Sequence, residues 1–383
     1  MGIYGDYLNQ PLAQNLSQLT AERKKQLRRI SALRGHRDVL VFAADLNKEV
    51  PLTSISYVDI LPISDQLSNL TGTKLDLILE TPGGSGEVAE DIVRLLRGRY
   101  PDLAVIIPGW AKSAGTIMAT AADEILMGPT SALGPIDAQL FWQGKRFSAD
   151  ALLEGMEKIK KEVTDTGVLN KAYIPILQGI SPGELQSAEN ALNFSTKLVT
   201  QWLAQYKFKN WTHHSSNGQP VTEEEKNLRA KQVADRLCDH RFWLTHNRSI
   251  KLADLQSMRL LITDYSQQPE LADAITRYYA LLQMTFASNL YKIYETSESQ
   301  VLKFLMPQVP PPQAVDVAVL DVQCNNCKAA FKVQANLGSK KPLQPGVIPF
   351  PANNKLHCPQ CGVEHDLSDA RRQLEAQTKK PVV

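Results

Sequence analysis

Two stretches decide how this chain folds: ETPGGSGEVAED at 80–91 and GWAKSAGTIMATAA at 109–122. Each follows a short, almost unbroken apolar run, LDLILE at 75–80 and LAVIIP at 103–108, and a third run, VLVFAAD, stands upstream at 39–45. Runs of this length and composition are the pattern of strands covered on both faces. Helical periodicity fills 53–70 and 87–98 between them. Buried strands alternating with helices predict an α/β fold whose parallel sheet is built from right-handed crossover units. Past DEILMGPTSALG (123–134) the pattern turns to long helices at about 148–163, 168–179, 184–208, 221–238 and 268–288, a helical extension of the same domain.

The flanks differ in kind. Residues 15–38 predict a helix carrying Leu19, Leu27, Ile30 and Leu33 among Arg23, Lys24, Lys25, Arg28, Arg29, Arg34 and Arg37, and its basic stripe reads as a solvated face before it reads as a surface for an acidic partner or nucleic acid. MPQVPPPQAV (306–315) can neither continue a helix nor join a central strand, because proline lacks the donor and fixes its own dihedral. The expected division is therefore a basic helical segment at 1–38, the α/β domain with its extension at 39–305, a linker at 306–315, a cysteine-bearing module at 316–367 and a polar tail at 368–383. A net charge of +2 over 383 residues makes no global demand for nucleic acid or an anionic membrane. No apolar run nears the roughly 18 residues of a bilayer span, and MGIYGDYLNQ lacks the order of a secretory leader, so a cytoplasmic protein is expected.

Both decisive loops lie at the carboxyl ends of parallel strands, where ligand sites of open α/β sheets collect. In the first, Pro82, Gly83, Gly84 and Gly86 permit a tight turn with outward-facing N–H groups before a helix capped by Ser85 or Glu87. In the second, Ser113 stands at a strand-to-helix junction with the N–H of Ala114 beside it. Taken singly, a PGG turn is a generic turn and a serine before a helix is an N-cap. Together, about 30 residues apart at matching strand ends, they make a nucleophile facing an oxyanion site.

ETPGG, KSAG and AADEILMGPTSALGPIDAQ together resemble the serine dehydrogenase proteinase family, relatives of the Clp protease and of signal peptide peptidase A on the Clp/crotonase fold. The likeness runs from about 39 to 140 and loosens to about 290; FWLTHNRSI (242–250) is similar to a threonine-histidine segment late in that family. The resemblance implies a serine peptidase with Ser113 as nucleophile, the N–H groups of Gly84 and Ala114 as oxyanion hole, a polypeptide substrate and a homo-oligomer that buries the site. No GxxxxGK[ST] run occurs, so any unfolding motor is a separate chain.

One position departs from the Clp pattern: Asp137 stands where the histidine base is expected. An aspartate of ordinary pKa is a poor base toward a serine hydroxyl, whereas the signal-peptide-peptidase branch uses a lysine. On a helical wheel Leu152, Met156, Ile159 and Val163 form an apolar stripe that Lys160 borders, so the residues themselves point to Lys160. The lysine-alanine pair in NKAYIPIL resembles one in the corresponding family helix, and that resemblance favours Lys171. His246 in LTHNRSI is the leading histidine among the possible bases.

Four of the five cysteines form CNNC (324–327) and CPQC (358–361). Two such knuckles, Cys324 with Cys327 and Cys358 with Cys361, supply a tetrahedral thiolate site suited to a structural Zn²⁺ in a zinc ribbon. The interval between them exceeds the usual ribbon spacing and implies a looped insertion. Beyond stability, the ribbon offers a docking place for a partner or, through Lys328, Lys332, Lys340 and Lys341, for nucleic acid. Two rival functions remain open at this level: a non-catalytic scaffold that binds through the ribbon, and acyl-thioester chemistry on the related crotonase fold.

Overall fold

Each of the three apolar runs is a strand. A computed structural model describes residues 2–142, 145–306 and 316–383, which divide into two compact units after Leu305. In the first unit, helix α1 (Leu16–Leu33) is followed by β1 (Asp38–Ala44), α2 (Ile60–Ser68), β2 (Lys74–Glu80), α3 (Gly86–Arg99), β3 (Asp102–Ile107), α4 (Ala114–Thr120) and β4 (Glu124–Met127). Then come α5 (Ala149–Thr166), α6 (Pro182–Trp202), α7 (Glu223–Leu237), the two-residue strand β5 (Thr263–Asp264), α8 (Pro269–Phe286), β6 (Leu290–Glu295) and β7 (Gln300–Phe304). The sheet order is β7-β6-β1-β2-β3-β4-β5, parallel from β1 through β5, with β6 and β7 antiparallel at one edge. The protein is thus mixed α/β with a parallel-rich sheet.

Side chains alternate across this sheet, so one strand feeds two cores. Leu40, Phe42, Leu77, Leu79, Val105 and Ile107 face Ile92 and Leu96 of α3. Val39, Val41, Ile78, Ile106 and Leu126 face the other way, onto Leu27 and Ile30 of α1 and Leu271, Ile275 and Leu282 of α8. Registers Val41↔Ile78, Ile78↔Ile106 and Ile106↔Leu126 keep those rows aligned across four strands. As a result, β2 and β3 end together, and the two decisive loops leave the sheet side by side.

Lys25 and Arg28 are exposed, as a solvated face requires, but three arginines depart from that reading. Arg23 is fully buried: its Nε and Nη2 donate to Glu295 of β6 at 2.9 and 3.1 Å, and its Nη1 donates to Thr285 at 2.6 Å. Tyr278 adds its hydroxyl to Glu295 at 2.6 Å. Arg34 donates to Asp76 and Glu124 at 2.8 and 2.6 Å, and Arg37 also reaches buried Asp76. Charges that a helical wheel places near solvent are instead taken up by carboxylates on the sheet, out of reach of any periodicity argument. Residues 53–70, read as helical throughout, are helical only from Ile60, after short 3-10 turns at Pro51–Thr53 and Tyr57–Asp59.

The second unit holds β8 (Val317–Gln323), β9 (Ala330–Asn336), β10 (Val347–Pro349), the hairpin β11 (Lys355–His357) with β12 (Glu364–Asp366), and α9 (Ser368–Thr378). Val333, Leu356 and Leu367 centre a small core. Helix α9 occupies most of the polar tail, and Val382 is buried against Leu337. Of the linker 306–315, residues 307–315 lie outside the described residues.

Replacing Arg23 with methionine leaves Glu295 buried without its cation. Removing one partner of a buried pair costs about 3–5 kcal/mol, which a urea midpoint reports. Lys25→Ala, at a side chain 71% exposed, is expected to shift stability by less than about 0.5 kcal/mol.

Candidate active site and candidate metal centre

The glycine turn is held by its neighbour in space. Ile55 donates its N–H to Gly83 O at 2.7 Å and accepts from Ser85 N at 3.0 Å, a pairing that leaves the Gly84 N–H uncommitted to it. Gly83 and Gly84 have φ of +101° and +150°. A Cβ on Gly84 would stand 2.4 Å from the Ile55 backbone, and one on Gly83 would stand 2.7 Å from Ser113 Cβ. Only glycine lets the turn come this close.

Across from it, Thr81 donates to Trp110 O at 2.9 Å and accepts from Lys112 N at 3.0 Å, so the strand-like pairing of β2 continues into the second loop. Ser113 follows with φ +51° and ψ −115° and makes no side-chain cap to α4. The N-cap role of an ordinary serine is therefore absent, and a backbone region that L-residues rarely occupy stores about 1–3 kcal/mol of strain. Gly84, Ser113 and Ala114 together border a cleft of about 390 Å³ whose walls include Ile117, Phe194 and Asp137.

Asp137 is buried, and imidazoles surround it. Its Oδ2 meets Gln139 Nε2 at 2.8 Å and His240 Nδ1 at 3.1 Å, while its Oδ1 bonds His246 Nδ1. Lys112 Nζ donates to Asn247 O at 2.6 Å and ties the loop of His246 to the residue before Ser113. Burial, with Lys251 nearby, holds the Lys112 ammonium below the ordinary lysine range. Asp137 lines this cleft, but His240 and His246 do not, nor do the two lysines singled out above: Lys160 is exposed and bonded to Glu157 at 3.2 Å, and Lys171 is exposed at the start of a 3-10 turn. His240 and Lys112 escaped the sequence reading. A partner more than a hundred positions away, as Asp137 is to His240, leaves no trace in local spacing.

Behind both loops lies Glu80, wholly buried, its pKa pushed up to about 8 by desolvation against the opposing hydrogen bonds from Trp110, Tyr279 and Gly109.

In the second unit the Sγ atoms of Cys324, Cys327, Cys358 and Cys361 all lie within 4.8 Å of one another, with 3.6 Å for Cys324 to Cys361 and for Cys327 to Cys358. A tetrahedral zinc thiolate site has sulfurs about 3.8 Å apart, so the residues fit such an ion. The knuckles repeat one geometry: Lys328 N bonds Cys324 O at 3.0 Å with Lys328 at φ +62°, and Gly362 N bonds Cys358 O at 2.9 Å with Gly362 at φ +76°. His357 is exposed.

The family model of ClpP-like SDH-type serine proteinases matches residues 8–176. That segment is similar to this family. It contains β1 through β4, the glycine turn, Ser113 and Asp137, and the parallel-rich sheet is consistent with a ClpP-like fold. Two curated relatives from Methanocaldococcus jannaschii are similar in sequence: uncharacterized protein MJ0137, 27% identical over 224 residues, and uncharacterized protein MJ1495, 31% identical over 150 residues. The matches cover 54% and 37% of this chain, and 72% and 50% of the relatives. A solved structure of a mutant of the 1510-N membrane-bound stomatin-specific protease also aligns, at 19% identity and TM-score 0.21, over 36% of this chain and 64% of that one. The match thus spans β1 through β4 and leaves β5 to β7, His240, His246 and the four clustered cysteines outside it.

Gly84→Ala is expected to destabilise the protein by more than about 1 kcal/mol, because the added methyl meets the Ile55 backbone. Thermal denaturation checks the loss, and hydrogen exchange of residues 53–57 and 81–86 locates it.

Proposed function

We propose that this protein is a serine endopeptidase whose Ser113 forms an acyl-enzyme. The observation that supports it best is the pairing of a strained, uncapped Ser113 with the Gly84 turn across one cleft. Oγ attacks a peptide carbonyl and loses its proton to a base; the N–H groups of Gly84 and Ala114 receive the oxyanion. The C–N bond then breaks, the leaving amine takes the proton, and water hydrolyses the ester.

For the base, the sequence supplies Lys171 or Lys160, each requiring delivery into the cleft by a rearrangement or by a second copy of the chain. His246 is favoured by a specific contact: a buried carboxylate, Asp137, orients its Nδ1 and leaves Nε2 for a proton. The proposal extends to a homo-oligomer, as in Clp-like proteases, acting on polypeptides in the cytoplasm. Unpaired thiols suit that reducing compartment. Among the described residues no helix is long and apolar enough to cross a membrane. Residues 39–305 carry the peptidase in this reading, and 316–367 form a ribbon whose Cys324, Cys327, Cys358 and Cys361 hold a structural Zn²⁺ and whose surface docks a partner.

A fluorophosphonate probe on the full chain tests the chemistry. Labelling is expected in wild type and lost in Ser113→Ala; absence of labelling in the assembled wild type points to the non-catalytic scaffold. His246→Ala is expected to slow acylation about 10²–10⁴-fold, with Lys160→Ala and Lys171→Ala near wild type. A collapse in either lysine variant with His246→Ala unaffected returns the base to lysine.

Metal stoichiometry and chelation test the ribbon. One zinc per chain is expected, and its removal is expected to release protection from exchange across 317–366 while leaving the first unit folded.

A further inference from the structure

We propose that Glu80 is a positioning residue for the reaction above: from the tip of β2 its carboxyl grips the 109–113 loop and sets the separation of Ser113 from the Gly83–Gly84 turn. The inference rests on the peptidase reading, and its evidence is the packing behind the cleft. Trp110 N donates to Glu80 Oε2 at 2.8 Å, and the Gly109 N–H also bonds the carboxyl. Tyr279 of α8 donates its hydroxyl to Oε1 at 3.1 Å. A Cβ on Gly109 would stand 2.6 and 2.7 Å from the two carboxyl oxygens and 2.2 Å from the Tyr279 hydroxyl. The carboxyl therefore lies flat against the loop backbone, four residues ahead of the nucleophile. The next residue along β2, Thr81, pairs with the same loop on both its N–H and its C=O. One short segment thus fixes both halves of the cleft.

A buried acid with no cation is a poor choice for stability alone. Among the described residues Glu80 forms no ion pair; its neighbours are Tyr279 from α8, Tyr265 from the turn after β5, and Asp45 at the end of β1, whose own charge is taken by Lys48. Every hydrogen bond it receives comes from a donor, which suits the ionised form. An ionised Glu80 accepts charge-assisted bonds from Gly109, Trp110 and Tyr279 together; a protonated one donates its O–H to the Tyr279 hydroxyl and keeps only weaker neutral bonds to the loop amides. The grip on the loop therefore tightens as pH rises through about 8.

Stability runs the other way. The folded pKa is raised above the ordinary value of 4.5, so the contribution of this group to stability is complete below about 4.5 and is lost as pH rises through about 8. Opposite signs let positioning be told from simple structural support.

The test follows fluorophosphonate acylation of Ser113 from pH 6.5 to 9.5, with saturation separating probe binding from the acylation rate, in wild type, Glu80→Gln and Tyr279→Phe. Glu80→Gln is near-isosteric and cannot ionise. The expected result is an acylation rate about tenfold lower at pH 9, on the scale of one charge-assisted hydrogen bond, with probe binding unchanged and the alkaline rise reduced to the part that the general base alone supplies. Tyr279→Phe removes one donor and is expected to keep the rise at a reduced rate. Amide exchange of residues 108–117 supplies a readout independent of chemistry, and faster exchange is expected in Glu80→Gln. A variant with the wild-type rate and pH profile overturns the proposal, as does one whose 109–113 amides exchange as slowly as wild type. A wild type that never labels sinks the peptidase reading instead, and the exchange data then judge Glu80 by themselves.

Discussion

Two backbone hydrogen bonds at Thr81 carry the architecture of the cleft. Thr81 N reaches Trp110 O and Lys112 N reaches Thr81 O, extending the β2–β3 pairing beyond the sheet and into the loops. Without that extension the glycine turn and the serine would be two unrelated surface features at neighbouring strand tips. With it, the register set deep in the core by Ile78 and Ile106 is transmitted to the reacting end of the molecule. The glycines then let the two loops close until only hydrogen atoms separate Gly83 from the Ser113 side chain.

The polar interior follows a similar logic. Arg23 with Glu295, Lys292 with Asp59, and Arg34 and Arg37 with Asp76 each join separate elements through carboxylates that are buried. Such pairs add little net stability over an apolar contact, but they tolerate only one arrangement. Helix α1 is fastened to β6 at Glu295, and the turn before α2 is fastened to the same strand at Lys292. Glu80 differs from these pairs: among the described residues it has hydrogen-bond donors and no counter-ion.

This contrast explains what could be read from the sequence. The central strands were legible because their burial on both faces writes an unbroken apolar run. The cysteine knuckles were legible because their geometry is local, two thiols per tight turn. Strands β6 and β7 were not, since LYKIYE places Lys292 and Glu295 where alternation demands apolar residues, and both charges are satisfied only by distant partners. The same holds for Asp137 with His240 and His246: helices and loops from separate parts of the chain meet there, and no spacing rule joins them. His246 could be weighed from its segment alone, but its tie to a buried carboxylate required the fold.

Ser113 sits in a backbone conformation that a side chain makes costly. The residue most comfortable at φ +51° is glycine, which has no oxygen to offer. At this one site folding and chemistry select different amino acids, and a chain under pressure for thermal resistance alone would drift toward the silent choice. A hydroxyl at this position is therefore a mark of use rather than of architecture.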